Sequence, residues 1–305
     1  MASTLDKSET PGHAQTRPGV WLTEAALVLM ALIWGVNFSV VKFGTTLVEP
    51  LAYNGVRVTL AAVLLLAIVS VSSLPFPPRK TILSLMALGV LGNGVYQFFF
   101  VEGIARASAS DSALVVAASP AFIAIIGRMR GVEHIQRRVV MGIALSIAGI
   151  AFVVIGTASD PRGASTLLGD LLVLCGSLAW AVYTVLLQPH TERVPGLQLS
   201  AFTMAGGALM LLVVASPALL RTNWHAVPPL AWAAIAYSGF FALVIAYLFW
   251  YQGVRVIGPT RTAVFSNLQP VVAMLVAWMA LGEKPTPWQI VGAAAIMGGL
   301  LLTRS

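Results

Sequence analysis

Residues 103–120 read GIARASASDSALVVAASP, and residues 253–270 read GVRVIGPTRTAVFSNLQP. Placed 150 positions apart, the two stretches open on a glycine (Gly103, Gly253) and close on a proline (Pro120, Pro270). Working outward, the correspondence holds without a gap over 61 positions: Gly89 with Gly239, Phe99 with Phe249, Glu133 with Glu283, Gly142 with Gly292 and Gly149 with Gly299. Earlier in each half, Leu32-Ile33-Trp34-Gly35-Val36 stands against Leu178-Ala179-Trp180-Ala181-Val182 at an offset of 146. Biased composition produces alanine and leucine matches by chance. A proline and a glutamate matched thirteen residues apart call for a duplicated unit.

Composition gives the solvent of that unit. Of 305 residues, 58% are hydrophobic and 10% charged, against about 25% charged in a soluble domain. The mean hydropathy of +0.88 is too high for a core with a polar coat. A soluble enzyme is excluded on these grounds, as are disordered and disulfide-framed chains, since Cys175 has no second cysteine to pair with. The net charge of +7 is spread thinly through short loops, so it argues for no nucleic-acid partner and suits the basic cytoplasmic side of a membrane protein.

A helix crossing the roughly 30 Å hydrocarbon core needs about 20 apolar residues. Ten segments approach that length: 21–43, 51–73, 82–104, 110–128, 138–156, 167–188, 197–219, 229–251, 261–281 and 286–303. Turn-rich breaks separate them, among them 73–78, 159–163 and 258–260. The expectation is an all-α membrane protein of ten transmembrane helices. It divides into a cytoplasmic tail (1–20), a first five-helix repeat (21–156) and a second (167–303). The first apolar stretch, about 23 residues, exceeds a secretory h-region of 7–15 and precedes no Ala-x-Ala site, so it is expected to remain as a span.

Placing the N-terminus in the cytoplasm puts Lys7, Arg17, Arg79, Lys80, Arg128, Arg130, Arg137, Arg138, Arg193, Arg255, Arg261 and Arg304 inside. Only Lys42, Arg106, Arg162, Arg221 and Lys284 fall outside, so both termini are expected to be cytoplasmic. Five spans per repeat is an odd number, which inserts the second copy in the opposite sense. Inverted repeats of this kind exchange inward-open and outward-open shapes around a site near the midplane.

Trp34-Gly35-Val36-Asn37-Phe38, the helix bearing Arg57, and the run from Gly103 through Pro120 and Glu133 to Gly149 resemble the EamA unit of the drug/metabolite transporter superfamily. So does the second copy, from Gly253 through Pro270 and Gly282-Glu283 to Gly292 and Gly299. The resemblance covers nearly the whole chain after residue 20. It implies two five-helix repeats in a bacterial inner membrane and export of amino acids or related metabolites. The general similarity is greatest to the aromatic amino-acid exporter branch. The first copy departs from the pattern in having Arg130-Gly131-Val132-Glu133 where the unit has Gly-Glu.

Candidate cavity faces follow from polar and aromatic residues at helical spacing: Trp34 and Asn37; Asn93, Tyr96 and Gln97; Trp180, Tyr183 and Thr184; Tyr247; Thr262, Ser266 and Gln269. Each such group has a plain alternative as glue between neighbouring helices. Together they suit a small zwitterionic substrate with an apolar or aromatic side chain. Pro120 and Pro270, expected in mid-span, release the carbonyls of Val116 and Ser266; they read either as static kinks or as paired bends that gate the cavity.

Arg57 is the cation inside a span. It reads as a holder of a substrate carboxylate, as a side chain snorkelling to the outer headgroups, or as a partner of Glu102 or Asp111. Glu133 and Glu283 precede helix starts and are read as turn-holding acids in preference to proton carriers, with Thr286-Pro287-Trp288-Gln289 forming a capping box. Trp21, Trp232 and Trp288 read as interfacial anchors.

His13, His134, His190 and His225 fall in expected tails or loops, so no metal site is expected. No phosphate-binding glycine loop occurs, and no cofactor is implied. The expected partners are a small-molecule substrate and the lipid bilayer; the small residues of 292–299 leave a second copy of the chain open. The reading is a carrier and not an enzyme, working as an amino-acid exporter by facilitated diffusion or antiport. Its rivals are the same fold carrying a nucleotide sugar, cationic drug or lipid, and, from another class, a membrane enzyme or sensor.

Overall fold

A computed structural model describes residues 17–130, 137–158, 167–257, 262, 265, 266 and 268–304. The expected tail up to residue 16, Glu133, and the breaks at 159–163 and 258–260 lie outside the described residues. The described chain is helical, with no strand among its residues. Its helices are α1 (Arg17–Leu47), α2 (Pro50–Val71), α3 (Arg79–Arg106), α4 (Ala109–Met129), α5 (Arg137–Ala158), α6 (Leu167–Thr191), α7 (Gly196–Arg221), α8 (Pro229–Ile257), α9 (Leu268–Leu281) and α10 (Pro287–Arg304).

Seven of these, α1 to α4 and α6 to α8, are long and apolar enough to cross a bilayer. Among the described residues the apolar part of α5 runs Val140–Val153 and that of α9 Leu268–Leu281. Large apolar side chains such as Val213 and Leu220 stand 74% and 88% exposed on the outside of the bundle, as lipid-facing positions require.

Helix ends follow local chemistry. Pro50, Pro229 and Pro287 sit at first helical positions, where the missing N–H has no intrahelical acceptor in any case. Ser108 caps α4 by accepting from the Asp111 N–H at 2.9 Å. The expected capping box opens α10. Thr286 N–H donates to Gln289 Oε1 (2.8 Å), and Gln289 N–H donates to Thr286 Oγ1 (3.2 Å).

The duplication is visible in the packing. Helix α1 packs on α8 and α9, while α6, its counterpart, packs on α3 and α4. Helix α2 pairs with its own counterpart α7, and α5 with α10. Each contact thus recurs with the halves exchanged. The α5–α10 crossing runs over the matched glycines: a Cβ on Gly149 would stand 2.8 Å from the Gly292 carbonyl, and one on Gly292 would stand 2.9 Å from the Gly149 carbonyl. Only glycine lets two backbones approach this closely.

Two features escape sequence periodicity. Val90–Val95 of α3 and Tyr237–Ile245 of α8 are π-helical, and the first maps into the second at the 150-residue offset. Helix α4 is broken at Ala117-Ala118, ahead of Pro120, so that proline occupies the first turn of a new segment and does not kink a continuous span. Pro270 likewise sits at the start of α9. Both carbonyls expected to be released find donors: Val116 O accepts from Ser119 Oγ (2.7 Å), and Ser266 O accepts from Gln269 N–H (3.0 Å).

Candidate functional site

The break in α4, the π segment of α8 and the Trp34 stretch of α1 meet at one cavity between the halves. Trp34, Asn37 and Phe38 of α1 line it, with Arg57 of α2, Tyr96, Gln97 and Phe100 of α3, and Val116, Ala117, Ser119, Pro120 and Ile123 of α4. The second half contributes Trp180, Ala242, Leu243, Tyr247, Trp250, Ser266 and Gln269. The cavity opens to solvent, and the atom-free space of about 720 Å³ there includes the solvent at its mouth.

One wall is an aromatic box. Trp180 lies with ring centroids 5.1 Å from Tyr96, 5.7 Å from Tyr247, 6.0 Å from Trp250 and 6.4 Å from Trp34. Trp34 meets Tyr247 edge-on at 5.7 Å. Its indole N–H donates to the Ala242 carbonyl at 2.9 Å. Ala242 lies in the π segment of α8, where the widened turn frees carbonyls for such partners.

The polar wall centres on Arg57, which is fully buried. Its Nε donates to Asn54 Oδ1 (3.0 Å), and one terminal nitrogen donates to Gln97 Oε1 (2.5 Å). Asn54 also donates to the Gln97 carbonyl at 2.9 Å, and Gln97 Nε2 reaches the Tyr247 hydroxyl at 3.5 Å. The rings of Tyr53 and Phe100 flank the guanidinium, each centroid 5.8 Å away. The contacts of Arg57 are with Asn54 and Gln97 and not with either acid named from the sequence. Burial excludes snorkelling, Glu102 is held by Arg106 at 2.5 Å, and Asp111 accepts from Gln289 Nε2 at 2.9 Å.

The cavity thus gathers ten expected residues: Trp34, Asn37, Arg57, Tyr96, Gln97, Pro120, Trp180, Tyr247, Ser266 and Gln269. Asn93, Tyr183, Thr184, Thr262 and Pro270 lie outside its lining. The Tyr183 hydroxyl is bound to the Tyr251 hydroxyl at 2.6 Å, and Asn93 is buried beside that pair. Phe38, Phe100, Trp250 and the Ala117 break were missed by sequence reasoning. Trp250 was findable, since it stands at the 150-residue offset from Phe100 and three residues beyond Tyr247.

Above the cavity, Glu283 holds more than its own turn. Gly282, at φ 72°, lets the chain turn back, and the Glu283 carboxylate accepts from the Ala109 N–H (3.1 Å), the Ser110 N–H (3.2 Å) and Ser110 Oγ (3.1 Å). An acid of the second half therefore caps a helix of the first, where the dipole favours it. Beside it, Lys42 Nζ donates to the carbonyls of Ala105 (3.1 Å) and Ala107 (2.7 Å) at the end of α3. Among the described residues, no three His, Cys, Asp or Glu side chains come together as a metal set; His190 lies in the last turn of α6, inside a helix and not in a loop.

The profile of the EamA-like transporter family matches residues 21–155 and again residues 167–305. The chain belongs to the EamA-like transporter family. This EamA-like chain is 29% identical over 282 residues to the uncharacterized transporter YyaM of Bacillus subtilis, covering 90% of this chain and 91% of that one. It is 28% identical to an uncharacterized transporter of Archaeoglobus fulgidus (92% and 96% covered) and to the uncharacterized inner membrane transporter YedA of Escherichia coli K12 (84% and 86%). A solved crystal structure shares the fold at a TM-score of 0.66 with 19% identity, covering 92% of this chain and 96% of that one. A membrane-spanning transporter is what the helices and the family together describe.

Proposed function

We propose that this protein exports amino acids, aromatic and other neutral ones first, across a bacterial inner membrane. In this reading ten helices cross the bilayer as two inverted repeats, 21–156 and 167–303, with both termini in the cytoplasm. The cavity between them alternates its access. The observation that carries the reading is the aromatic box of Trp34, Tyr96, Trp180, Tyr247 and Trp250 set against the polar groups of Asn37, Arg57 and Gln97 in one cavity. Ring pairs in offset or edge-on geometry contribute about 0.5–1.5 kcal/mol each, so a planar apolar side chain finds a ready site there.

Other cargoes fit the lining less well. A nucleoside diphosphate sugar carries two phosphate charges, and among the described residues Arg57 is the single cation in the lining. A cationic drug calls for a carboxylate, and among the described residues the lining has none. Relatives described as transporters favour carriage over catalysis or sensing. With both termini cytoplasmic, Glu283 and Lys42 close the outer side in this reading, and their contacts part when cargo leaves there.

The test is uptake of radiolabelled Trp, Phe, Met, Thr, Lys and Glu into proteoliposomes of the purified protein, with and without an imposed proton gradient. Saturable uptake of Trp and Phe, competed by unlabelled substrate, is expected. Flat traces across the panel under both conditions would remove the amino-acid reading.

A further inference from the structure

We infer that Arg57 and Asn37 form a two-point reader for the cargo's head: Arg57 takes a carboxylate, Asn37 takes an ammonium group, and the carboxylate is the required element. The inference rests on the amino-acid reading and narrows it to substrates with a free carboxylate.

The argument starts from donor accounting. A guanidinium carries five N–H donors on three edges, and it has no neutral form to retreat to. Asn54 accepts from Nε and Gln97 from one terminal nitrogen of Arg57, while the second terminal nitrogen is buried without any acceptor. Among the described residues no carboxylate lies within ion-pair reach of it. The Tyr53 and Phe100 rings each lie 5.8 Å from the guanidinium carbon, so its close company is aromatic surface and not a counter-ion. A cation held in this way inside a bilayer lacks its counter-charge until an anion arrives.

The holding is rigid in the manner a receptor needs. Asn54 fixes both the Arg57 Nε and the Gln97 backbone carbonyl, so the guanidinium and the amide that touches it are positioned by one side chain. Gln97 supplies a neutral oxygen, which a carboxylate oxygen outcompetes because charge-assisted hydrogen bonds are about twice as strong.

Asn37 supplies the complementary observation. It is 6% exposed and lines the same cavity from α1, and its Oδ1 is buried with no donor. An unmet cationic donor and an unmet neutral acceptor in one cavity match the head of a zwitterion, with the aromatic box left for the side chain. Asn37 is neutral, so it orients an ammonium group without demanding one. A carboxylate lacking the amine, such as an arylalkanoic acid, therefore satisfies the stronger of the two points.

The experiment is uptake of labelled tryptophan, indole-3-propionate and tryptamine into proteoliposomes of the full chain. The series separates carboxylate from ammonium without any substitution. Tryptophan and indole-3-propionate are expected to enter, with tryptamine at least tenfold slower. In Arg57→Gln the two carboxylates lose at least tenfold relative to tryptamine, and Arg57→Lys recovers part of that ratio. In Asn37→Leu tryptophan loses its advantage over indole-3-propionate.

Tryptamine entering as fast as tryptophan overturns the inference and leaves the amino-acid reading standing. Arg57→Gln lowering all three equally does the same, since that is the mark of a structural role. Entry of indole-3-propionate without tryptophan removes the amino-acid reading and keeps the carboxylate assignment. Entry of neither carboxylate overturns both. Should Arg57→Gln fail to fold, the wild-type series alone decides the carboxylate requirement.

Discussion

Gln97 and Tyr247 hold the same position in the two halves, 150 residues apart, and their side chains meet at 3.5 Å inside the cavity. The pair lies on the pseudo-symmetry axis, and its members have different duties. Gln97 also accepts from Arg57 at 2.5 Å, whereas no such short bond holds the Tyr247 hydroxyl. Gln97→Leu therefore leaves a buried cation short of an acceptor. It should cost about 1.5–3 kcal/mol, the range for hydrogen bonds to charged groups. Tyr247→Phe loses only a long contact and should cost under about 1 kcal/mol. Thermal unfolding in nanodiscs checks the order; equal losses would contradict it.

Glu283 ties the halves together on one side of the membrane. Glu283→Ala removes the acceptor of three donors at the start of α4, a change comparable to losing an N-cap, about 1 kcal/mol. If that contact belongs only to the closed state, opening becomes about fivefold more populated. The check is labelling of a cysteine at Ala109, in a Cys175→Ser background, by a membrane-impermeant thiol reagent added outside. The labelling rate should rise by that factor.

The α5–α10 crossing makes a sharp contrast between neighbouring glycines. Gly149→Ala places a methyl 2.8 Å from the Gly292 carbonyl and should destabilise by about 1–3 kcal/mol. Gly298→Ala meets only Leu145 Cδ2 at 3.5 Å and should be neutral or slightly stabilising. Unfolding temperatures of the two variants, measured side by side, decide it.

The broken helices predict a separation of transport from stability. Pro270→Ala returns an N–H to the residue four positions after Ser266 and favours continuous helix through the break. Folding should be unchanged or improved while uptake falls at least severalfold. Unchanged uptake would make the proline a packing feature. Ser119→Ala strips the Val116 carbonyl of its donor beside the cavity and should cost about 1 kcal/mol.

Much of this was legible in the sequence, for a physical reason. Proline, glycine and a capping acid are tied to backbone geometry, so Pro120 with Pro270 and Gly149 with Gly299 reveal the duplication where leucines cannot. The Thr286–Gln289 box was legible because it is local. Asn93 was misplaced because face-counting assumes uniform α pitch. The π turn at Val90–Val95 interposes about one extra residue and displaces the face by roughly 100°. Asn93 consequently sits beside Tyr183 and away from Tyr96 and Gln97 in the cavity. The reach of Glu283 to α4 was hidden as well, since a contact 173 residues away leaves no trace in local spacing.

The matched π segments carry a consequence for how such a wall can move. A helix holding a π turn stores one spare residue, and the spare can migrate along the axis as one hydrogen bond is exchanged for the next. Each step turns the downstream half like a screw. No hinge opens, and the lipid never meets a row of bare amides. In α3 that half carries Tyr96, Gln97 and Phe100; in α8 it carries Tyr247 and Trp250. Two such screws, one from each half, would re-aim the aromatic box from both of its helices at once.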